Sequence, residues 1–452
     1  MILHYLSLLE DNHVLVKDYK MSYYKKDIII NLSEFLSYLP KKLDKIYVLL
    51  KNSYELIIAI FAANYIGADV CVLNYNYTKE EINKIIEELG EGFFITDKDK
   101  SELIKQSEKI TIEYGNFFNK KLGYSIIDLN KKDSNLIIMT TGTTGSPKAV
   151  MYNWDRLVNQ VKKNTDKNLS WLLVYPLNHF AGIQVLLYSL VNQGTINIPR
   201  SNSFLDLYDS INNGVNAISA TPTFWRMLIG YFKKMDITNL NIRRITLGGE
   251  IVHQDLIDNI KKVFPNSSIV HVYATTELGS CFSVKDEKEG FPISYLQRKV
   301  GNVELKIIDG ELYLKTDKHM LKYLNSNIKL SIVNDWIATG DLVEVRGDRV
   351  YFLGRKNEVI NVGGIKVFPA KVEKEILEVD GVKNVRVHAK KNPIMGNVVC
   401  ADLEIEENID MNKVINDIKN KCAHKLNKYE QPVVLRVVGR IDRLNEKIIR
   451  RS

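Results

Sequence analysis

Thr140-Thr141-Gly142-Thr143-Thr144-Gly145-Ser146-Pro147-Lys148 is the stretch around which the chain is organised. The apolar run before it, Leu136-Ile137-Ile138-Met139, reads as a buried strand. After it, Ala149-Val150-Met151-Tyr152 reads as a second strand. Asn153 is then placed to cap a helix from about Trp154 to Lys163, with Asp155 in the first turn, where the helix dipole favours negative charge. The loop offers four threonine hydroxyls, one serine hydroxyl and a run of backbone N–H donors to an anion, and its two glycines let the backbone approach closely. Phosphate is the anion these donors suit. The Walker-type loop G-x-x-x-x-G-K-[ST] does not fit, because Pro147 has no N–H and Ala149 has no hydroxyl for magnesium.

The nine positions in this order resemble the phosphate loop of the AMP-forming adenylating enzymes: acyl- and aryl-CoA synthetases, luciferases and peptide-synthetase adenylation domains. Under that resemblance Thr140, Thr141, Gly142, Thr143, Thr144, Gly145 and Lys148 hold the phosphates of ATP.

The first 100 residues alternate strand and helix. Tyr47-Val48-Leu49-Leu50 is a strand, Tyr54 to Tyr65 a buried helix ended by Gly67, and Val70-Cys71-Val72-Leu73 a strand. Lys79 to Leu89 follows as a helix charged on one face, and Phe93-Phe94-Ile95-Thr96 as a strand. Such alternation predicts a layered α/β architecture with a largely parallel sheet.

Further along, Leu172-Leu173-Val174-Tyr175-Pro176-Leu177-Asn178-His179-Phe180-Ala181-Gly182 is similar to the family's substrate-side segment, which implies that His179 gates the acyl pocket. No acidic residue lies between Trp171 and Leu205 to hold an ammonium group, which argues against an amino-acid substrate. Ile245-Thr246-Leu247 is a strand running into Gly248-Gly249-Glu250. Ligands of open parallel sheets lie beyond the carboxyl ends of strands, so this turn is placed to flank adenine and the acyl group.

Tyr273-Ala274-Thr275-Thr276-Glu277 resembles the family's Tyr-Gly-x-Thr-Glu, with Ala274 replacing glycine. The resemblance implies that Tyr273 stacks on adenine, Thr276 bonds the α-phosphate and Glu277 holds Mg²⁺. Magnesium suits that assignment, since it takes one or two carboxylates beside phosphate oxygens. Thr339-Gly340-Asp341 matches another family motif, with Asp341 accepting from the ribose hydroxyls.

Gly347-Asp348 reads as a hairpin turn. The stretch from Gly354-Arg355-Lys356-Asn357 to Val362-Gly363-Gly364 resembles the hinge into a small C-terminal domain. By that resemblance Arg355 contacts the nucleotide, Asn357 stands at the hinge, and Gly363 and Gly364 line a pantetheine tunnel as in CoA ligases. A compact α+β unit follows: a helix from Ala370 to Glu378, strands at Val382 to Ala389 and Val398 to Ile405, a helix from Met411 to Leu426 and a last strand at Val433 to Val438. The end resembles the family's basic stretch and makes Lys447 the adenylation lysine, although Glu446 replaces a glycine.

The expected architecture is therefore α/β: a large N-terminal layered adenylating domain over residues 1–353 and a small, mobile C-terminal α+β domain over 357–452, joined by a hinge. Composition agrees. In 452 residues, 45% are hydrophobic and 26% charged, which is ample for a large core. The net charge of +8 is spread along the chain with no long basic block, so no nucleic-acid partner is expected. Four cysteines without a CxxC pair read as free thiols in a reducing compartment, and no basic-then-apolar leader is seen, so the expectation is cytoplasmic. The uncharged run Leu56 to Ala68 is too short for a membrane span.

The implied activity is acid–thiol ligation: ATP-dependent conversion of a small carboxylic acid to an acyl-adenylate, then thioester formation with CoA. ATP, Mg²⁺ and CoA are the implied cofactors. Two alternatives stand beside it, a stand-alone enzyme loading the phosphopantetheine of an acyl carrier protein and a non-catalytic nucleotide-binding relative.

Overall fold

The computed structural model describes residues 2–104, 108–115, 118, 129, 133–140, 148–163, 168–232, 235, 237, 240–317, 319–325, 332–406, 409–441, 443–444 and 447–448. Two parallel-cored sheets dominate it. The first has seven strands in the order Lys322–Tyr323, Lys148–Asn153, Asn135–Thr140, Asp69–Val72, Lys45–Leu49, Phe93–Asp97, Lys109–Ile112. Its last five are mutually parallel; the two strands nearest the phosphate loop run antiparallel. The second has eight strands in the order Gly279–Val284, Ser268–Thr275, Arg244–Gly248, Ala217–Ala220, Ser170–Leu172, Thr195–Ile198, Val14–Asp18, Ser22–Tyr24, parallel except at its two ends.

Strand alternation builds the layers. In Lys45–Leu49, Ile46 and Val48 point into the core shared with the second sheet, while Tyr47 and Leu49 point into the core under the helix Lys79–Leu89. The helices Tyr54–Ile66 and Phe180–Val191 lie between the sheets, and Phe204–Asn212, Pro222–Phe232 and Gln254–Val263 cover the far face of the second. Sandwiching explains why Tyr54–Ile66 is apolar all round: every residue from Tyr54 to Asn64 is buried. Each fully buried Ile, Leu or Phe there contributes roughly 1.5–3 kcal/mol. Ser53 caps its start by accepting from Leu56 N at 3.1 Å, and Gly67, at φ 85°, closes its end in the left-handed conformation that glycine adopts freely.

A third sheet is antiparallel and joins Phe291–Pro292, Arg349–Arg355, Trp336–Arg346, Glu311–Lys315 and Glu304–Ile308, with Ile332–Val333 alongside. The segment after Arg355 has its own core, in which Val372, Ile376, Val385, Val387, Leu403, Val414 and Ile418 are buried. It holds a three-stranded sheet, Val382–Asn392, Gly396–Ile405 and Val434–Val437, covered by the helices Pro369–Leu377 and Met411–Lys425. Helix Pro369–Leu377 also packs on the strand Arg349–Arg355, and Lys374 pairs with Glu289 at 3.3 Å across that contact.

One helix differs from expectation. Asn153 does cap, accepting from Asp155 N at 2.8 Å, but the helix runs only over Trp154–Val158 instead of reaching Lys163. Just beyond its end, buried Gln160 accepts from Ser280 N at 2.9 Å. All four cysteines are free and buried, and burial pushes the Cys71 thiol up to about 12. Among the described residues no helix is long and apolar enough to cross a membrane.

Candidate active site

Three sheets meet around the sequence motifs. The second sheet supplies strand ends. Gly248 ends the strand beside Val272, so the Gly248-Gly249-Glu250 turn lies next to Tyr273. The Glu250 carboxylate accepts from Thr223 N at 3.0 Å and Thr223 Oγ1 at 2.7 Å, which ties that turn to the start of the next helix over. Tyr175 reaches the same place, donating to the Gly248 carbonyl at 3.1 Å. His179 follows on the same segment and stands at the N-cap of Phe180–Val191. Asn52 fixes the segment further, donating to Tyr175 O at 3.1 Å and accepting from Leu177 N at 2.9 Å. Gly182 is required for the close approach, because a Cβ there would overlap the Pro176 carbonyl.

The third sheet supplies Asp341 and Arg355, which are register partners on neighbouring strands. Arg355 Nε lies 3.0 Å from Asp341 Oδ1, and Arg355 also donates to Thr339 O at 2.8 Å. The Tyr273 hydroxyl donates to the other carboxylate oxygen, Oδ2. The Tyr273 ring stacks on Phe282 at 5.1 Å and on Phe352 at 5.2 Å between centroids. Burial, then the Asp341 charge, push the Tyr273 phenol well above its usual range, so it is a donor. Gly340 turns with φ 75° and donates to Glu311 Oε1 at 3.0 Å, while Lys356 pairs with the other Glu311 oxygen at 2.8 Å.

The first sheet supplies Thr140 and Lys148, which are register partners where the phosphate loop leaves and rejoins the sheet. Thr141, Gly142, Thr143, Thr144 and Gly145 lie outside the described residues. Next to Lys148–Asn153 runs Lys322–Tyr323, and the Tyr323 hydroxyl donates to Glu277 Oε1 at 3.1 Å. Thr276, one residue before Glu277, is half-buried. Tyr323 thus ties Glu277 to the strand that Lys148 begins, and Asp341 ties Tyr273 to Arg355. Among the described residues no group of three or more His, Cys, Asp or Glu is arranged to hold a metal ion. A lone carboxylate beside a phosphate loop fits magnesium, which completes its shell with phosphate and water oxygens.

Gly363 and Gly364, with φ 58° and 89°, form the two-residue turn between Ile360–Val362 and Ile365–Val367; the turn requires positive φ at both positions. Met395 O accepts from Gly363 N at 2.9 Å. Asn357 is exposed in a 3-10 turn over Lys356–Glu358. The Lys447 backbone pairs with Leu444 in a two-stranded ribbon, and its side chain lies outside the described parts.

Sequence reading missed Tyr175, Glu311 and Tyr323. Each acts through a partner remote in sequence, Gly248, Gly340 and Glu277 respectively, and no local pattern marks them.

The Tyr273 ring, the Asp341–Arg355 pair and the Glu277 carboxylate are the candidate residues whose contacts the structure defines. The family model described as AMP-binding enzyme matches residues 35–324, and the chain belongs to that family. Among curated relatives, 2-succinylbenzoate–CoA ligase of Bacillus subtilis (strain 168) is 27% identical over 447 residues, covering 91% of this chain and 87% of the relative. The enzyme of the same name from Lactococcus lactis is 25% identical, covering 89% and 88%. Among solved structures, o-succinylbenzoate CoA synthetase of Bacillus subtilis in complex with its acyl-adenylate superposes with TM-score 0.79 at 22% identity, covering 99% and 96%. Anthranilate CoA ligase AuaEII in complex with anthranoyl-AMP gives TM-score 0.86 at 16% identity, covering 99% and 95%. These structures share the α/β fold with its smaller C-terminal sheet unit.

Proposed function

We propose that this chain is an AMP-forming acid–thiol ligase that activates a small carboxylic acid with ATP and passes the acyl group to CoA. The observation that carries the reading is a pair of groups, Tyr273 and Arg355 both bonded to Asp341, and Glu277 bonded to Tyr323 beside the strand that Lys148 begins. In the first step a carboxylate oxygen of the acid attacks the α-phosphorus of ATP, the bond to the β-phosphate oxygen breaks, and pyrophosphate leaves. Both reactants are anions, so catalysis depends on positive charge placed where negative charge develops. The residues assigned to this are Lys447 on the developing adenylate, Lys148 and the Thr140–Gly145 loop on the departing pyrophosphate, and Thr276 on the α-phosphate. Mg²⁺, when bound at Glu277, supplies Lewis-acid neutralisation of phosphate charge. Asp341 and Arg355 hold the ribose side, and Gly248, Gly249 and Glu250 flank adenine and the acyl group.

In the second step the CoA thiol attacks the acyl carbon and gives up its proton, the acyl–phosphate bond breaks, and AMP leaves. The C-terminal unit, residues 357–452, rotates about the hinge at Asn357 between the steps, withdrawing Lys447 and presenting the Gly363-Gly364 turn. His179 gates the acyl pocket. The names of the curated relatives make 2-succinylbenzoate the first acid to try.

The test is pyrophosphate release with Mg-ATP and a panel of fatty, aromatic and short hydroxylated acids that includes 2-succinylbenzoate, each with and without CoA. Turnover that needs CoA is the expected result. Single-turnover release indifferent to CoA would make the acceptor a carrier-protein thiol, and no release with any acid would favour a non-catalytic relative.

A further inference from the structure

Tyr323 joins two groups that the proposed reaction uses at different places. It lies on the short strand Lys322–Tyr323, antiparallel to Lys148–Asn153 and in register with Val150. Backbone bonds hold it there on both sides: Leu321 N donates to Met151 O at 2.8 Å and Leu324 N to Ala149 O at 2.9 Å. Asn325 accepts from Ala149 N at 2.7 Å and donates to Glu88 at 2.5 Å, which anchors the strand's far end. These bonds place the Tyr323 ring beside the strand that Lys148 begins.

From that place the side chain makes two contacts. The hydroxyl donates to Glu277 Oε1 at 3.1 Å. The Lys148 ammonium lies 5.4 Å from the ring centroid, within range of a cation–π attraction. The same segment also grips the Glu277 backbone, since Met320 N donates to Glu277 O at 2.8 Å. A phenol keeps its proton at neutral pH, so the hydroxyl is the donor of this bond. A donor on one carboxylate oxygen restrains the orientation of the group. Oε2 is then presented to a cation in a set direction, and no donor among the described residues is assigned to it.

We propose that Tyr323 is a positioning residue: its hydroxyl aims the Glu277 carboxylate at the metal while its ring holds the Lys148 ammonium for the departing pyrophosphate. The inference rests on the reading of Glu277 as the metal carboxylate and of Lys148 as a phosphate group. One side chain thereby sets the spacing between the two positive charges that pyrophosphate must meet on leaving.

The two contacts are separable by substitution. Tyr323→Phe keeps the ring and removes the hydroxyl; Tyr323→Leu removes both. Mn²⁺ serves as the metal probe, titrated in the presence of ATP without any acid and followed by the electron paramagnetic resonance signal of the free ion. Pyrophosphate binding is measured by calorimetry in EDTA, so that no metal contributes. Tyr323→Phe is expected to weaken Mn²⁺ binding by about 10- to 100-fold, the scale for losing a hydrogen-bond partner behind a metal ligand, and to leave pyrophosphate affinity unchanged. Tyr323→Leu is expected to weaken both, pyrophosphate by roughly 3- to 10-fold, the scale of one cation–π contact. Thermal transitions of both variants within a few degrees of the parent show that the fold is intact, and the Phe variant gives the reading if the Leu variant unfolds.

Glu277→Gln separates the two layers of the argument. If it weakens Mn²⁺ binding and Tyr323→Phe does not, the role of Tyr323 is overturned and the reading of Glu277 stands. If Glu277→Gln leaves Mn²⁺ binding unchanged, both fall together. With a positioning role, adding Tyr323→Phe to Glu277→Gln costs no further Mn²⁺ affinity, because the hydroxyl acts only through the carboxylate. A further loss of the full single-mutant size would overturn the proposal.

Discussion

Arg355 and Asp341 face each other across two neighbouring strands, with Nε 3.0 Å from Oδ1, and the Tyr273 hydroxyl bonds the second oxygen of the same carboxylate. The Asp341 side chain is only 14% exposed, so its orientation is set before any nucleotide arrives. A preorganised acceptor of this kind suits a pair of vicinal hydroxyls, which would exchange with Tyr273 or share the carboxylate with it.

Asp341→Asn keeps the shape and removes the charge. Two ribose hydroxyls lose a charged acceptor, a loss of about 1.5–3 kcal/mol, so AMP affinity measured by calorimetry should fall by roughly 10- to 100-fold. Unchanged affinity would show that Asp341 does not hold the ribose.

Lys447→Ala should slow adenylate formation by ~10²–10³-fold, the scale for removing one transition-state charge partner. Thioester formation from supplied acyl-adenylate should stay nearly intact, as followed by AMP release in a quenched-flow experiment. Equal loss in both steps would make Lys447 structural, or leave it in place throughout the cycle.

Gly182→Ala places a methyl group against the Pro176 carbonyl at the start of helix Phe180–Val191. Overpacking of that size costs about 1–3 kcal/mol, read as a lower urea midpoint. The same shift displaces the segment that carries His179, so the KM for the acid should rise while the Kd for AMP stays constant. A parallel rise in both would place the damage in the whole domain.

Glu289 links the C-terminal unit to the rest through Lys374 and also accepts from His253 Nδ1 at 2.9 Å and Gln254 N at 3.0 Å. Burial pushes its carboxyl up, but His253, Gln254 and Lys374 outweigh it and lower the group from 4.5 to about 2. The sign follows from the direction. A depressed acid contributes stability that is fully present above its unfolded value and lost as pH falls through its folded one. Glu289→Gln should therefore lower the thermal transition at pH 7, and the gap to the parent should close between about pH 4.5 and 2. A gap that is constant over that range would mean the ionised form contributes nothing.

Much of this was legible in residue order. Ser53 and Gly67 bracket a mostly apolar helix, Thr78 and Glu81 form the capping box that starts Lys79–Leu89, and Gly347 closes a hairpin. These are local events, decided by backbone conformation and by bonds spanning three or four residues. The order of family motifs was enough to name the candidate site residues, because each motif is short and chemically specific.

Tertiary structure decided the rest. Alternation in Lys45–Leu49 shows that both faces are buried but not what buries them; one face meets a helix and the other a second sheet. The helix at Trp154 stops at Val158, and Gln160 just beyond it accepts from Ser280, 120 residues away. Tyr323 looks like any tyrosine in a polar stretch until strand pairing sets it between Glu277 and Lys148. Local sequence specifies the conformation of the backbone; which surfaces cover one another depends on the area that the whole chain removes from water, and that sum is taken only when the chain is folded.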